Sequence, residues 1–267
     1  MIKNKILLSF DVEEFDLPRE HGAEISLEEG IEVSAQGLER ILKVLDRTSA
    51  KATFFCTGNF AAGRPDLIAR IVESGHEVAC HGVDHFIPKS SDIEKSKEMV
   101  EKMAGVKVYG YRQPRMKKNN YNELKRCGYL YDSSVNPAYI PGRYNNSKMP
   151  RRPFMKNGII EIPVSVATSM RVPMFWLALH IFPKNVYYKL AKMALKRDGY
   201  FATYFHPWEF ADLAEYSAAP GYIKHNSGMS LAGRLEGLIC EMRKDGGRFV
   251  TYAEFAKERY SKNEESR

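Results

Sequence analysis

The order of apolar and amphipathic segments predicts an α/β fold, a distorted (β/α)7-type parallel barrel in a single domain. Two observations carry this. Short apolar runs alternate with stretches of helical periodicity six or seven times, which implies a parallel sheet. A chain of 267 residues with 44% hydrophobic residues suits one nearly closed barrel better than two small domains. No internal repeat or low-complexity segment interrupts the alternation.

The elements follow in order. Ile6-Leu7-Leu8-Ser9-Phe10 reads as a buried strand, and Leu38, Ile41, Leu42 and Leu45 mark a helix from about Ser34 to Thr48. Ala52 to Cys56 is the second strand. A short helix over Pro65 to Ser74 has proline near its start and Gly75 just past its end, the usual asymmetry. Glu77 to Cys80 is the third strand, and Asp92 to Met103 is a charged amphipathic helix. Val106 to Tyr111, Tyr129 to Tyr131, Ile159 to Pro163 and Tyr200 to Phe205 read as further strands. A helix lies near Asn120 to Cys127. Another, Leu231 to Lys244, precedes a last strand, Arg248 to Val250. The stretch 137–153, rich in Pro, Asn, Gly and Arg, reads as a long functional loop. The barrel is assigned to 1–256, and 257–267 is expected to be a charged C-terminal tail that frays.

Lys plus Arg number 40 and Asp plus Glu 33, a net charge of +7. That balance favours anionic partners such as acidic glycans or anionic lipid headgroups. No basic cluster coincides with a nucleic-acid-binding motif, so nucleic acid is not an expected partner. Cys56, Cys80, Cys127 and Cys240 form no C-x-x-C pair and read as reduced, mostly buried thiols. The run Ile6–Phe10 is too short for a signal peptide, and no apolar stretch is long enough to span a bilayer. A cytoplasmic protein is expected. The apolar, aromatic segment 170–183, flanked by Arg171 and Lys184, is either a core-packing helix or a surface that touches the inner face of a membrane.

Chemistry-bearing residues recur just after strands, where the active sites of parallel barrels lie. Asp11-Val12-Glu13-Glu14 follows the first strand, and carboxylates crowded there repel one another unless a cation is present. His81 and His85 follow the third, at an H-x-x-x-H spacing that puts both imidazoles on one face of a helical turn. Two histidines plus a carboxylate form a common catalytic zinc arrangement. Arg112, in Tyr111-Arg112-Gln113-Pro114-Arg115, could orient a carboxylate and hold it ionised. Asp132-Ser133-Ser134 follows the fifth strand, and His206 ends a late one.

These five segments, in this order, resemble the polysaccharide deacetylase family, including the nodulation-type chitooligosaccharide deacetylases. They read Ser9 to Glu13, His81 to His85, Arg112 to Arg115, Asp132 to Ser134 and Phe205-His206-Pro207-Trp208-Glu209. The last is similar to a subgroup found with exopolysaccharide biosynthesis. The resemblance implies a metal-dependent hydrolase, with Zn2+ as the expected cation, that removes an acyl group from an amino sugar in a glycan or lipid-linked sugar. It implies Asp11 as general base, His81 and His85 as ligands, Arg112 as the partner of the base, and His206 as general acid tuned by Asp132. Tyr111, Arg115 and Trp208 are the expected substrate contacts.

Two departures stand out. The family's second acidic residue, a metal ligand, is replaced by Val12, so Glu13 is the expected carboxylate ligand and Glu14 the alternative. Arg115 stands where a small residue is common, and would narrow the groove or meet an anionic group of the substrate. Two rival readings remain: an allantoinase-like hydrolase of cyclic amides or ureides, which needs a compact pocket, and a non-catalytic carbohydrate-binding barrel.

Overall fold

The computed structural model describes residues 4–89 and 92–264, with side chains described as far as residue 259. Seven parallel strands form its frame: β1 (Lys5–Val12), β2 (Thr53–Cys56), β3 (Glu77–Cys80), β4 (Gly110–Tyr111), β5 (Tyr131–Asp132), β6 (Ile159–Glu161) and β7 (Tyr200–Phe205). Their order is β7-β1-β2-β3-β4-β5-β6, and each neighbouring pair is parallel. Beyond β6 the chain turns back towards β7, where Ser165 N–H donates to Ala202 O at 2.9 Å. The curled sheet therefore nearly closes, as expected.

Alternation along the strands builds two layers. On β1, Ile6, Leu8, Phe10 and Val12 face outward into the core shared with the helices. Leu7 faces inward and joins Phe55, Ala79, Tyr131 and Tyr252 inside the barrel. Full burial contributes about 1.5–3 kcal/mol for each large apolar side chain, so the outer layer dominates the stability of the fold. The helices that cover the outside include α1 (Leu27–Thr48), α2 (Pro65–Glu73), α3 (Asp92–Ala104), α4 (Tyr121–Arg126), α5 (Trp176–Ile181), α6 (Lys184–Asp198) and α7 (Met229–Lys244).

Several boundaries differ from those read in the sequence. Helix α1 starts seven residues earlier than expected, because the Ser26 hydroxyl caps it by accepting from Glu29 N–H at 3.1 Å. The fourth strand shrinks to two residues: Val106 is exposed, and Gly110 is pressed against the Tyr131 ring. Residues 137–153 are not a structureless loop but hold a small hairpin, Tyr139–Ile140 against Tyr144–Asn145. The tail expected to fray from residue 257 instead continues a helix, α8 (Tyr252–Glu264). Its first turn docks: Tyr252, Phe255 and Ala256 plug the barrel interior. Residues 265–267 lie outside the described residues. All four cysteines are free, but only Cys56 and Cys80 are buried; Cys127 is half-buried and Cys240 exposed.

Candidate metal-centred active site

The period of two along β1 explains why the acidic cluster works with valine in its middle. Val12 faces the outer core and is fully buried there. Asp11 and Glu13 share the opposite face and enter the barrel mouth, both 2% exposed. Glu13 Oε2 lies 3.3 Å from His81 Nε2 and 3.1 Å from His85 Nε2. It is buried and has no hydrogen-bond partner. A ligand atom from each of Glu13, His81 and His85 lies within 4.8 Å of the other two, a spacing that suits one metal ion.

The second acidic candidate is used otherwise. Glu14 turns away, accepting from Thr57 Oγ1 at 2.7 Å and Asn59 Nδ2 at 3.1 Å, and burial raises its pKa. That removes it as the alternative ligand.

The histidines converge without the expected helical turn. Residues after β3 run as bends, and Gly82 adopts φ +73°, a left-handed conformation costly for other residues. The rings stack 5.7 Å apart at 19°. Each is oriented from behind, as metal-binding histidines usually are. His81 Nδ1 bonds Arg112 O at 2.9 Å, and His85 Nδ1 bonds Asp16 Oδ2 at 2.8 Å. Asp16 was not singled out in the sequence, although it sits two residues past the acidic cluster.

Charge coupling holds the cluster together. Burial would raise the Glu13 pKa, but the imidazoles of His85, His206 and His81 bring it well below the usual carboxylate range. Burial would lower that of His85, but Glu13 and Asp16 raise it to about 9. This pairing of a carboxylate with imidazoles is the pattern a cation would replace, because deprotonated imidazoles and a carboxylate are the donor set zinc takes.

Arg112 is wholly buried, and each of its guanidinium nitrogens has an acceptor. Nη1 donates to Asp11 Oδ1 at 2.5 Å and Ser9 Oγ at 3.0 Å. Nη2 donates to Ser133 Oγ and the Tyr252 hydroxyl, and Nε to Ser133 O. The Phe55 ring lies 4.0 Å from its carbon. Asp11 is thereby fixed in place, with Oδ2 4.0 Å from His81 Nε2.

His206, at the end of β7, lies across the mouth with Nε2 3.9 Å from Glu13 Oε1. Its orienting partner is Glu209, not Asp132. His206 Nδ1 meets Glu209 Oε1 at 2.8 Å, and His180 Nε2 on α5 meets Oε2 at 2.7 Å. Burial would lower the His206 pKa, but Glu13, Glu209 and Asp11 raise it. Asp132 instead accepts from Asn119 at 3.0 Å and Ser134 at 2.7 Å and shares a hydrogen bond with Glu161, so the expectation that it tunes His206 is corrected. The signal missed was local: Glu209 sits three residues after His206, the spacing that closes a capping turn.

The expected substrate contacts divide. Tyr111 is corrected: its ring packs edge-on against Tyr129 in the outer core, away from the cavity. Trp208 lines the cavity but works inward, stacking on His206 at 5.0 Å and donating Nε1–H to Glu13 Oε1 at 3.1 Å. Arg115 also lines it, in ion pairs with Asp16 and Glu20. It holds φ +59° and Met116 φ +50°, two successive left-handed residues of the kind that cluster at functional sites. The 170–183 segment is neither one core helix nor one free face. Phe175 and Trp176 line the cavity, and His180 grips Glu209.

Helix α1 braces both halves of the site. Ser34 Oγ donates to Glu13 O at 2.5 Å. At Gly37 the helix lies against the turn after β7, where an added Cβ would stand 1.8 Å from Pro207 O. Nothing in the helical periodicity marked Gly37 as functional. The cavity above these groups has a volume of about 240 Å³.

Residues 3–131 match the model of the polysaccharide deacetylase family. The chain is similar to a peptidoglycan deacetylase-like protein of Gibberella zeae, 32% identical over 117 residues, covering 40% of this chain and 35% of that one. It thus spans about a third of that relative's length. Among solved structures it resembles a Mycobacterium smegmatis protein assigned to the polysaccharide deacetylases, with TM-score 0.70 and 20% identity over 98% of this chain and 92% of that one. It also resembles the Puue allantoinase, with TM-score 0.64 and 16% identity over 96% and 90%. At such identities these two likenesses concern the fold.

Proposed function

We propose that this chain, which carries a polysaccharide deacetylase domain over residues 3–131, is a metal-dependent hydrolase that removes the N-acetyl group from an amino sugar of a glycan. The observation that carries the reading is the buried, unpartnered Glu13 Oε2 facing the Nε2 atoms of His81 and His85. These three residues would hold the cation, with Zn2+ the expected ion. Such a cation makes water more acidic, its pKa falling from ~15.7 towards ~7, and polarises an amide carbonyl.

The chain's own residues supply the proton transfers. Asp11 has one oxygen tied to Arg112 and the other facing the histidines, so it is placed to take a proton from the attacking water. Glu209 holds His206 at Nδ1, which leaves Nε2–H facing the cavity to protonate the departing amine. A positioned acid or base typically contributes ~10²–10⁴-fold.

The allantoinase-like alternative asks for a closed, compact pocket. Here a second cavity adjoins the first, with Arg115 and Tyr144 lining both, which suits an extended substrate. Peripheral contact with an anionic membrane surface is a further part of the reading. It is supported by the exposed Met170, Ile181 and Lys184. Among the described residues, no helix is long and apolar enough to cross a membrane.

The test is acetate release from N-acetylglucosamine oligomers by zinc-loaded protein, against allantoin as competitor substrate. His206→Ala should keep its metal and lose turnover by roughly 10²-fold or more. Full turnover in that variant at normal metal content would remove the proposed mechanism.

A further inference from the structure

The cavity above Glu13, His81 and His85 adjoins a neighbour of about 400 Å³, and the two share Arg115, Met116, Arg143 and Tyr144 as walls. Every charged residue that lines the second cavity is a cation: Arg115, Lys117, Lys118, Arg143 and Lys156. Three of these are engaged. Arg115 pairs with Asp16 and Glu20, Arg143 reaches Glu20 at 3.5 Å, and Lys156 lies 4.4 Å over the Tyr121 ring. Lys117 and Lys118 have no acidic partner among the described residues, and both are exposed to solvent. The carboxylate of Asp132 is 0% exposed and screened by Asn119 and Ser134, which both donate to its Oδ1. The cavity thus offers uncompensated positive charge beside Tyr144, whose ring can pack against a sugar face. A neutral glycan gains nothing from that charge.

We propose that the second cavity is a subsite for an acidic sugar, so that the substrate is a glycan in which a carboxylate-bearing residue neighbours the N-acetylated one, with Lys117 and Lys118 meeting the carboxylate. The successive left-handed residues Arg115 and Met116 stand at the junction. They turn the chain so that Arg115 closes against the metal side while the two lysines line the outer side. The acidic sugar therefore sits one step along the chain from the scissile amide, and its charge selects the register in which the substrate lies.

The inference rests on the deacetylase reading, and the experiment separates the two. Acetate release is measured on a neutral N-acetylglucosamine tetramer and on a tetramer that alternates N-acetylglucosamine with glucuronic acid. Binding of the acidic tetramer is measured in parallel by calorimetry. At low salt the acidic substrate should show a kcat/KM roughly 3- to 30-fold above the neutral one, the range for two partly exposed ion pairs. The preference should shrink as ionic strength rises. Lys117→Gln with Lys118→Gln should bring the ratio towards one and weaken binding by the same factor. Lys189→Gln with Lys196→Gln, the same charge change on α6, should leave the ratio in place. A sulfated oligomer that replaces the acidic one equally well would show recognition of negative charge alone and overturn the carboxylate assignment. Equal kcat/KM for both substrates in the unaltered protein, or a preference that survives loss of both lysines, would overturn the subsite. If neither oligomer is deacetylated, the catalytic reading fails; lysine-dependent binding of the acidic tetramer would still uphold the subsite, and its absence would sink it.

Discussion

Gly37→Ala is a substitution that ordinarily helps a helix, since alanine in a helix interior is favoured over glycine by about 0.5–1 kcal/mol. Here the sign should reverse. Gly37 lies inside α1, and its added methyl group would stand 1.8 Å from Pro207 O and 2.7 Å from Pro207 C, atoms of backbone that cannot rotate away. Ordinary contact between such atoms needs ~3.4 Å, so helix and turn must part by roughly 1.6 Å. Overpacking of this kind costs about 1–3 kcal/mol, more than the helix gain. The turn that moves carries His206, Trp208 and Glu209, and a displacement of about 1 Å at reacting groups can cost 10²-fold in rate. The expected result is a modest fall in Tm with a drop in kcat of roughly 10²-fold, while His81 and His85, on the far side of the mouth, retain the metal. Thermal denaturation, metal analysis and acetate release on one preparation check all three. A stabilised variant with full kcat would refute the claim that this helix sets the position of His206.

Further outcomes follow from the same contacts. Arg112→Met should destabilise the fold by about 3–5 kcal/mol, because Asp11 is left as an unpaired buried charge; adding Asp11→Asn should restore part of the loss in chelator-treated protein, and strict additivity by denaturant titration would contradict the pairing. Glu13→Ala should abolish stoichiometric metal binding whereas Glu14→Ala should keep it, as read by metal analysis after dialysis, because only Glu13 faces the imidazoles. Burial, then Asp132, raises the Glu161 pKa well above its ordinary value. A raised carboxyl binds more protons folded than unfolded, so its stabilisation is complete below the unfolded value near 4.5 and is lost as pH rises through the folded value. Glu161→Gln should therefore gain stability relative to the parent as pH climbs from about 4.5, and a pH-independent difference in Tm would contradict this.

The seven-stranded barrel was legible because strand and helix periods alternate without interruption, and burial of one face is a property of local sequence. The residues that converge on the candidate site were legible for the same reason. Asp11 and Glu13 share a face by the strand period, and His81, Arg112 and His206 each follow an apolar run that ends in a strand. Side chains that hold those groups from elsewhere in the chain were not. Asp16 behind His85, His180 behind Glu209, and Gly37 beneath Pro207 gain their meaning from contacts across 69, 29 and 170 positions of sequence. Nor could periodicity tell that Asp132 would pair with Glu161, that Tyr111 would face the core, or that residues 257–264 would continue a docked helix. Periodicity fixes which way a side chain points relative to its own element. What it then meets depends on how elements cross, and that is settled only when the whole core closes.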